Sequence, residues 1–313
     1  MIDLAALGFG PNQLRVWAST ASIPELRRNH DKLWVRPITN GASALFALFV
    51  AGRHIARKLV PPLGELAEFL DDDGAFVHAR IAILPIAGRH GASFVVCDRL
   101  ETHGIETVCW PDDSSLHLSA AIPPGRRDTW LDLCCGSAPA QLAYPEYAHR
   151  LVASDLNPRA LRYAELGAQL SRITYFESLH GDLASVPAEL ITCNAPIPTQ
   201  PGTTREGPLW TSTERDFVAR MVETARAALL AGGTIVVHAA LDALLAALPG
   251  EAAGELVIVA YTPAEAPREF AVAWWRPDAN PCRVLARRAL TPDRPHLDHT
   301  DREAAVAGTL SPL

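Results

Sequence analysis

From Thr129 onward the sequence predicts an α/β fold, a mainly parallel sheet with helices on both faces, preceded by a smaller, mainly helical part. Three observations carry this. Strand-like and helix-like stretches alternate from Thr129 to about residue 290, the pattern of a parallel sheet with crossover helices. Residues 1 to about 90 carry helical spacing instead. The hydrophobic share of 49% against 20% charged, over 313 residues, leaves ample material for the core of one large domain or two ordinary ones.

Taken in order, ELRRNHDKLW has mixed charge at helical spacing, and ASALFALFVAG continues as a buried helix. LGELAEFLDDDGAF reads as a helix ending at an acidic turn with Gly74, and Pro61-Pro62 as a helix start. Short helices of this kind predict a small domain of winged-helix type. FVHARIAILPIA and ASFVVCDRL are β-branched runs between turn formers and predict a hairpin. CWPDDSSLHLSAAIPPGRRD (109–128) reads as a turn-rich connector. The strands expected next are TWLDL, HRLVASDL, ITYFES, AELITCNAPI, GTIVVHAAL, ELVIVAYTP and FAVAWWRP. The helices between them are APAQLAYPEY, NPRALRYAELGAQL and TSTERDFVARMVETARAALLAGG. TPAEAPRE is too short and proline-rich for a crossover, so the last two strands should form an antiparallel hairpin at the sheet edge. The expected division is 1–90 helical accessory or lid domain, 91–128 hairpin and connector, 129–290 sheet domain, and 291–313 a poorly ordered polar tail.

Composition narrows the partners. The net charge is -7 and basic residues are scattered, which disfavours a nucleic-acid duplex. The six cysteines form no C-x-x-C pair, and no histidine cluster has metal-ligand spacing, so no metal is expected and a reducing cytoplasm is the simplest compartment. MIDLAALGFGPNQLRVW lacks the charged start and apolar core of a secretory signal, and ALFALFVAG is too short to span a bilayer.

The chemistry centres on LDLCCGSAPAQLA (131–143), a strand, a tight loop and a helix start. Asp132 lies in the strand, and Asp155 ends the next strand, where a carboxylate is placed to accept from the two hydroxyls of a ribose. The loop reads C-C-G-S-A-P where a dinucleotide site reads G-x-G-x-x-G, and Pro139 removes a donor near the helix start. A ligand with a ribose and no pyrophosphate fits this loop better, and S-adenosylmethionine is such a ligand.

Residues 129–240 resemble the class I S-adenosylmethionine-dependent methyltransferases, whose fold is a Rossmann-like seven-stranded sheet. LDLCCGSAP resembles that family's LDLGCGSG, ASDLNPRAL its VDxNPxAL, and LLAGGTIVV its LKPGGxLxV; HGDL matches a turn that contacts adenine. ITCNAPIPTQPG resembles the IVSNPPY stretch of the branch that methylates planar or amide nitrogens. The helical part more weakly resembles the accessory domains of release-factor glutamine and ribosomal RNA guanine methyltransferases. The resemblance implies that Gly136 lies closest to the methionine part, that Asp132 is a further cofactor contact, and that Cys134 and Ala138 stand where glycines are usual. It places the ribose at Asp155, adds Leu156 and Asn157 as cofactor contacts, and puts adenine at Gly181, Asp182 and Leu183. Asn194 would orient the acceptor, with Ala195, Pro196 and Ile197 around it. The motif Asn194-Ala195-Pro196-Ile197 departs from NPPY: the first proline and the stacking aromatic are gone.

Several residues stay open between two roles. Trp110, Asp113 and Ser114 lie in the connector that would cross the pocket mouth, as contacts to the methionine carboxylate or acceptor or as simple turn formers. Cys134 and Cys135 fit packing, Tyr175 and Phe176 core or a cation–π contact, and Trp274-Trp275 edge-strand packing or a homodimer contact. The leading function is methyl transfer from S-adenosylmethionine to a small or medium acceptor, a small molecule or peptide. The first alternative is acceptor-free cyclisation, in which the amino group attacks its own γ-carbon to give azetidine-2-carboxylate and methylthioadenosine. The second is a non-catalytic cofactor-binding partner subunit.

Overall fold

The computed structural model describes residues 2–88, 91–198, 208–212, 216–248, 253–263 and 268–313. Helices α1 (Pro11–Ala18), α2 (Ile23–Arg28), α3 (His30–Leu33) and α4 (Gly41–Leu45) come first, and α4 runs into a π-helical turn, Phe46–Val50, buried throughout. Asn40 and Ser43 close a reciprocal capping box that sets the start of α4.

Strands β1 (Ile55–Ala56), β2 (Leu70–Asp72) and β3 (Phe76–Ala79) form a small antiparallel sheet in the order β1-β3-β2. The stretch LGELAEFLDDDGAF is therefore a 3-10 segment, Gly64–Phe69, followed by a strand, and not one helix. Leu70 to Asp72 find backbone partners in Ala79 to Val77, and that pairing replaces the next helical turn. The hairpin of β4 (Ile81–Gly88) and β5 (Gly91–Asp98) begins inside the range expected to be helical.

The connector holds a helix, α5 (Asp113–Ala121), where only turns were expected. Asp112 starts it, its side chain accepting from the amides of Ser114 and Ser115. The sheet region follows as β6 (Arg127–Leu133), α6 (Pro139–Ala143), β7 (Ala148–Asp155), α7 (Pro158–Leu170), β8 (Phe176–His180) and β9 (Ala188–Asn194). A small pair, β10 (Ile197–Pro198) and β11 (Thr211–Ser212), precedes α8 (Phe217–Ala228) and β12 (Leu229–Ala240). An unanticipated α9 (Leu241–Ala247) leads to β13 (Glu255–Tyr261), β14 (Phe270–Arg276), β15 (Cys282–Arg287), α10 (His299–Val306) and β16 (Ser311–Pro312).

The nine-stranded sheet has the order β16-β15-β13-β14-β12-β9-β6-β7-β8. The five strands from β12 to β8 are parallel, and β14 runs antiparallel to both β12 and β13. This is a Rossmann-like α/β sheet, and it contains all seven expected strands. The β13–β14 hairpin is not its edge, however, because β15 pairs in parallel with β13 and β16 pairs with β15. Parts of TPAEAPRE, of APIPTQPG and of the start of the α8 stretch lie outside the described residues.

Two further expectations change. Trp274 and Trp275 are both buried within the chain, and their indole nitrogens donate to Ala121 and Ala253 carbonyls. They therefore offer no surface to a second copy. The segment after residue 291 is ordered: Leu297 is fully buried, and buried Arg288 pairs with buried Asp301 of α10.

The N-terminal part is fused to the sheet through one core that runs from Leu4 and Phe9 to Leu166, Val236 and Trp274. The approach is tight at Gly167 of α7, where an added Cβ would stand 2.7 Å from the Phe94 carbonyl of β5. Asp98, at the end of β5, then ties the hairpin to α7 by accepting from Arg159 and from the Tyr163 hydroxyl at 3.0 Å. It also accepts from the Val108 amide at 2.9 Å, which aims the following connector across the carboxyl ends of the sheet.

Candidate functional site

Chain order reverses between β6 and β9: β7 and β8 extend the sheet on one side, β9 and β12 on the other. Ligands of open α/β sheets bind at such a reversal, beyond the carboxyl ends of the strands. A cavity of about 420 Å³ lies there.

Its floor is the loop after β6. Cys134, Gly136 and Ala138 all adopt left-handed backbone, with φ of 53°, 55° and 54°. At Cys134 and Ala138 the conformation is strained for a side chain that has a Cβ. A Cβ added at Gly136 would meet nothing within 4 Å, so the open volume of the cavity begins at this backbone. The loop is held from β7: the Asp155 carboxylate accepts from the amides of Gly136 and Asn157, each at 2.8 Å. Burial raises the Asp155 carboxyl above its ordinary value, and these amides oppose that shift. Each carboxylate oxygen keeps a second lone pair for a ligand hydroxyl.

Asp132, on the inner wall, is nearly inaccessible and accepts from the Thr192 hydroxyl at 2.5 Å. Thr192 in turn accepts from the Trp130 indole at 2.7 Å. Burial pushes the Asp132 carboxyl up to about 7. Its neighbours Cys135 and Cys193 are buried thiols with pKa pushed up, the state of packing residues and not of nucleophiles.

The side walls bring most of the remaining expected residues together. Leu156, half exposed, and Asn157 face the cavity after β7, and Gly181, Asp182 and Leu183 face it after β8. Asp182 is already paired with Arg220 at 3.2 Å. Asn157 also caps α7 and donates to the Glu106 carbonyl, which pins the connector over the opening. Asn194, Ala195, Pro196 and Ile197 line the far side.

Three expected residues lie elsewhere. Trp110 is buried away from the cavity, its indole donating to the Asp98 carbonyl at 2.9 Å. Asp113 points outward, paired with Arg28 and His296. Ala138 is wholly buried beneath the loop and acts through its backbone. Tyr175 does not line the cavity either; its hydroxyl donates to the Pro145 carbonyl.

Other residues enter that the motifs did not single out. Asp112 and Ser115 line the cavity beside Ser114, and the signal for them was an Asp-Asp-Ser-Ser helix start. Arg27 reaches it from α2. Trp210 and Phe217 also line it, and the Ile197 amide donates to the Trp210 carbonyl at 3.1 Å. These aromatics stand where the Asn-Ala-Pro-Ile motif itself provides none.

Asn194 is held at both ends of its amide. Nδ2 donates to the hydroxyls of Ser114 at 2.8 Å and Ser115 at 3.4 Å, and Oδ1 accepts from His238 Nδ1 at 2.9 Å. His238 Nε2 meets the Tyr261 hydroxyl at 2.8 Å. Burial brings His238 down to about 4, so the ring is neutral near pH 7. Among the described residues no group of three or more His, Cys, Asp or Glu is arranged to hold a metal, and no helix is long and apolar enough to cross a membrane.

No protein-family model matches the chain, and no curated protein matches it. Among solved structures, it is similar to the M. jannaschii tRNA m1G37 methyltransferase, at 14% identity and a TM-score of 0.43 over 65% of this chain and 58% of that one. The chain thus spans less than two thirds of the length of that protein. It is similar to the ribosomal protein L11 methylase of Lactobacillus delbrueckii subsp. bulgaricus at 17% identity and a TM-score of 0.38, over 52% of this chain and 76% of that one. It is also similar to the N-methyltransferase NodS of Bradyrhizobium japonicum at 18% identity and a TM-score of 0.37, over 54% and 94%.

Proposed function

We propose that the chain is an S-adenosylmethionine-dependent enzyme that transfers the methyl group to a small or medium acceptor. The observation that carries this reading is the Asp155–Gly136 unit. A carboxylate at the end of β7 holds the glycine backbone of the loop after β6, at the point where strand order reverses. In this reading Asp155 receives the ribose hydroxyls, and Leu156 with Gly181–Leu183 flanks the adenine. Gly136 and Asp132 face the methionine part. The open space beyond Gly136 fits a ligand there. The cofactor supplies an activated methyl on a sulfonium, and the protein supplies proximity and alignment for in-line displacement.

Replacing Asp155 by Ala is expected to weaken S-adenosylhomocysteine about 30- to 100-fold, because two charge-assisted hydrogen bonds and the anchor of Gly136 go together. Calorimetric titration reads this directly. A loss below threefold would place the nucleoside elsewhere.

A second reading is favoured by a separate observation. Both Nδ2 hydrogens of Asn194 go to Ser114 and Ser115 and one Oδ1 lone pair to His238, which leaves Asn194 a single lone pair toward an acceptor nitrogen. The cavity, at about 420 Å³, is near the low end of the range for small-molecule sites. This small volume favours a reaction in which S-adenosylmethionine is the only substrate and its own amine is the nucleophile. Incubation with S-adenosylmethionine alone, followed by mass spectrometry, separates the two readings. Methylthioadenosine above the uncatalysed background supports cyclisation; intact bound cofactor supports a missing acceptor. Failure to bind the cofactor would sink both.

A further inference from the structure

Asp112 was singled out by no motif, yet it ends a chain of four hydrogen bonds that crosses the site. The Ser114 hydroxyl lies 2.5 Å from Asp112 Oδ1, Asn194 Nδ2 2.8 Å from that hydroxyl, His238 Nδ1 2.9 Å from Asn194 Oδ1, and the Tyr261 hydroxyl 2.8 Å from His238 Nε2. The carboxylate sets the direction of every bond. It accepts only, so Ser114 donates to it and must itself accept from the Asn194 amide nitrogen. Asn194 then presents its oxygen to His238, which requires the proton on Nδ1. The neutral ring leaves Nε2 as acceptor, so Tyr261 donates. The chain has one polarity, with its donors aligned toward Asp112.

Oδ1 of Asp112 is committed three times, to the Ser114 hydroxyl and to the amides of Ser114 and Ser115. Oδ2 has no hydrogen-bond partner among the described residues, and Asp112 lines the cavity. A carboxylate fixed through one oxygen, with the other uncommitted, is built to meet a cationic nitrogen.

Resting on the cofactor reading, we infer that Asp112 is a catalytic residue that receives the nucleophilic nitrogen and takes its proton. The nitrogen lone pair forms the new bond to a carbon attached to the sulfonium. The bond between that carbon and sulfur breaks with its electron pair going to sulfur, which becomes a neutral thioether. The proton given up by the nitrogen goes to Asp112 Oδ2. The balance is the same whether the nitrogen belongs to an acceptor or to the cofactor's own amino group. Ser114, Asn194, His238 and Tyr261 are positioning residues that hold the carboxylate.

The test compares two ligands by calorimetry. One is S-adenosylhomocysteine; the other is the cofactor analogue with a primary ammonium on carbon in place of the sulfonium methyl. Wild type is expected to bind the ammonium analogue about tenfold more tightly or better. Asp112→Asn should abolish that preference while S-adenosylhomocysteine binding stays within about twofold, because Asn caps a helix as well as Asp does. Asp112→Glu should restore part of the preference. Tyr261→Phe should shrink it about threefold, as the far donor of a polarised chain is lost. Equal weakening of both ligands in Asp112→Asn, or a preference that survives it, would overturn the assignment. An unchanged preference in Tyr261→Phe would overturn the role of the chain. If wild type binds neither ligand, the cofactor reading falls and the assignment falls with it. Thermal melting of each variant verifies the fold.

Discussion

Replacing Asp301 by Ala is expected to cost about 3–5 kcal/mol of stability, because it leaves a buried guanidinium without its counter-charge. Arg288 and Asp301 are 7% and 1% exposed. Two Arg288 nitrogens also donate to the carbonyls of His296 at 2.6 Å and Arg294 at 2.9 Å, so the side chain cannot leave without unfolding the segment around it. Asp301 further accepts from Arg294 at 3.2 Å and from the Asp298 amide at 2.8 Å, the latter part of the capping box of α10. One substitution therefore removes a charge pair and a helix cap. The effect should reach the cavity. The Leu297 amide donates to His117 Nδ1 at 2.8 Å, and His117 sits on α5, the helix that presents Ser114 and Ser115 and is capped by Asp112. Urea unfolding measures the loss, and S-adenosylhomocysteine titration measures its transmission. The double change Arg288→Met with Asp301→Leu should recover only the part of the loss that comes from the stranded charge, since an apolar pair carries no desolvation penalty but restores neither the α10 cap nor the hydrogen bonds to the His296 and Arg294 carbonyls. A cost below about 1 kcal/mol for Asp301→Ala would show the pair to be peripheral.

Much of the cavity was legible because its parts are local in sequence. Gly136 follows β6 and Asp155 ends the neighbouring β7, and each of these strands has a buried second half that includes the short apolar stretches Trp130-Leu131 and Leu151-Val152-Ala153. The connector was misread for an equally local reason. Asp, Ser and Pro mark turns, and they also start helices; the run after Asp112 shows no clear apolar stripe to tell the two apart. His238 and Tyr261 were out of reach altogether. They lie on β12 and β13, and β14 separates those strands in the sheet, so nothing in the spacing shows that the two side chains meet. The tail reads as polar because Arg288, Arg294, Asp298 and Asp301 are charged. Pairing buries Arg288 and Asp301 while Arg294 and Asp298 bridge to them from the surface, and pairing over a dozen residues leaves no mark in composition. The sheet edge was misplaced for a related cause: CRVLAR carries two arginines in six residues and is shorter than the strands inside the sheet.

Asp132→Asn is expected to stabilise the protein at pH 8 while removing the pH dependence of ligand binding. The Asp132 carboxyl stands at about 7 in the folded chain against an ordinary 3.8, chiefly because it is buried; the Thr192 hydrogen bond opposes the shift and the nearby Asp155 charge adds to it. The sign follows from proton counting. Between pH 4 and 7 the folded state holds a proton that the unfolded state has released, so stability falls as pH rises across that window and levels above it. A shift of about three units corresponds to ~4 kcal/mol, so wild type should lose up to about 1.4 kcal/mol per pH unit between pH 4 and 7. The Asn variant carries no such group: its stability should match wild type near pH 4 and exceed it by up to ~4 kcal/mol at pH 8. The same linkage governs binding. An ammonium placed against Asp132 favours the ionised form, so wild-type affinity for S-adenosylhomocysteine should rise about tenfold per pH unit up to 7 and then level, with proton release on binding below 7. His117 is brought down to about 2 and His238 to about 4, so neither histidine titrates between pH 5 and 8 to mimic this profile. Urea unfolding and calorimetry at pH 5, 6, 7 and 8 on both proteins decide the matter. A wild-type binding profile as flat as that of the variant would remove Asp132 from the methionine end of the site. A carboxylate kept in a position that weakens the fold above pH 4 is costly to retain without a cationic ligand to hold it ionised.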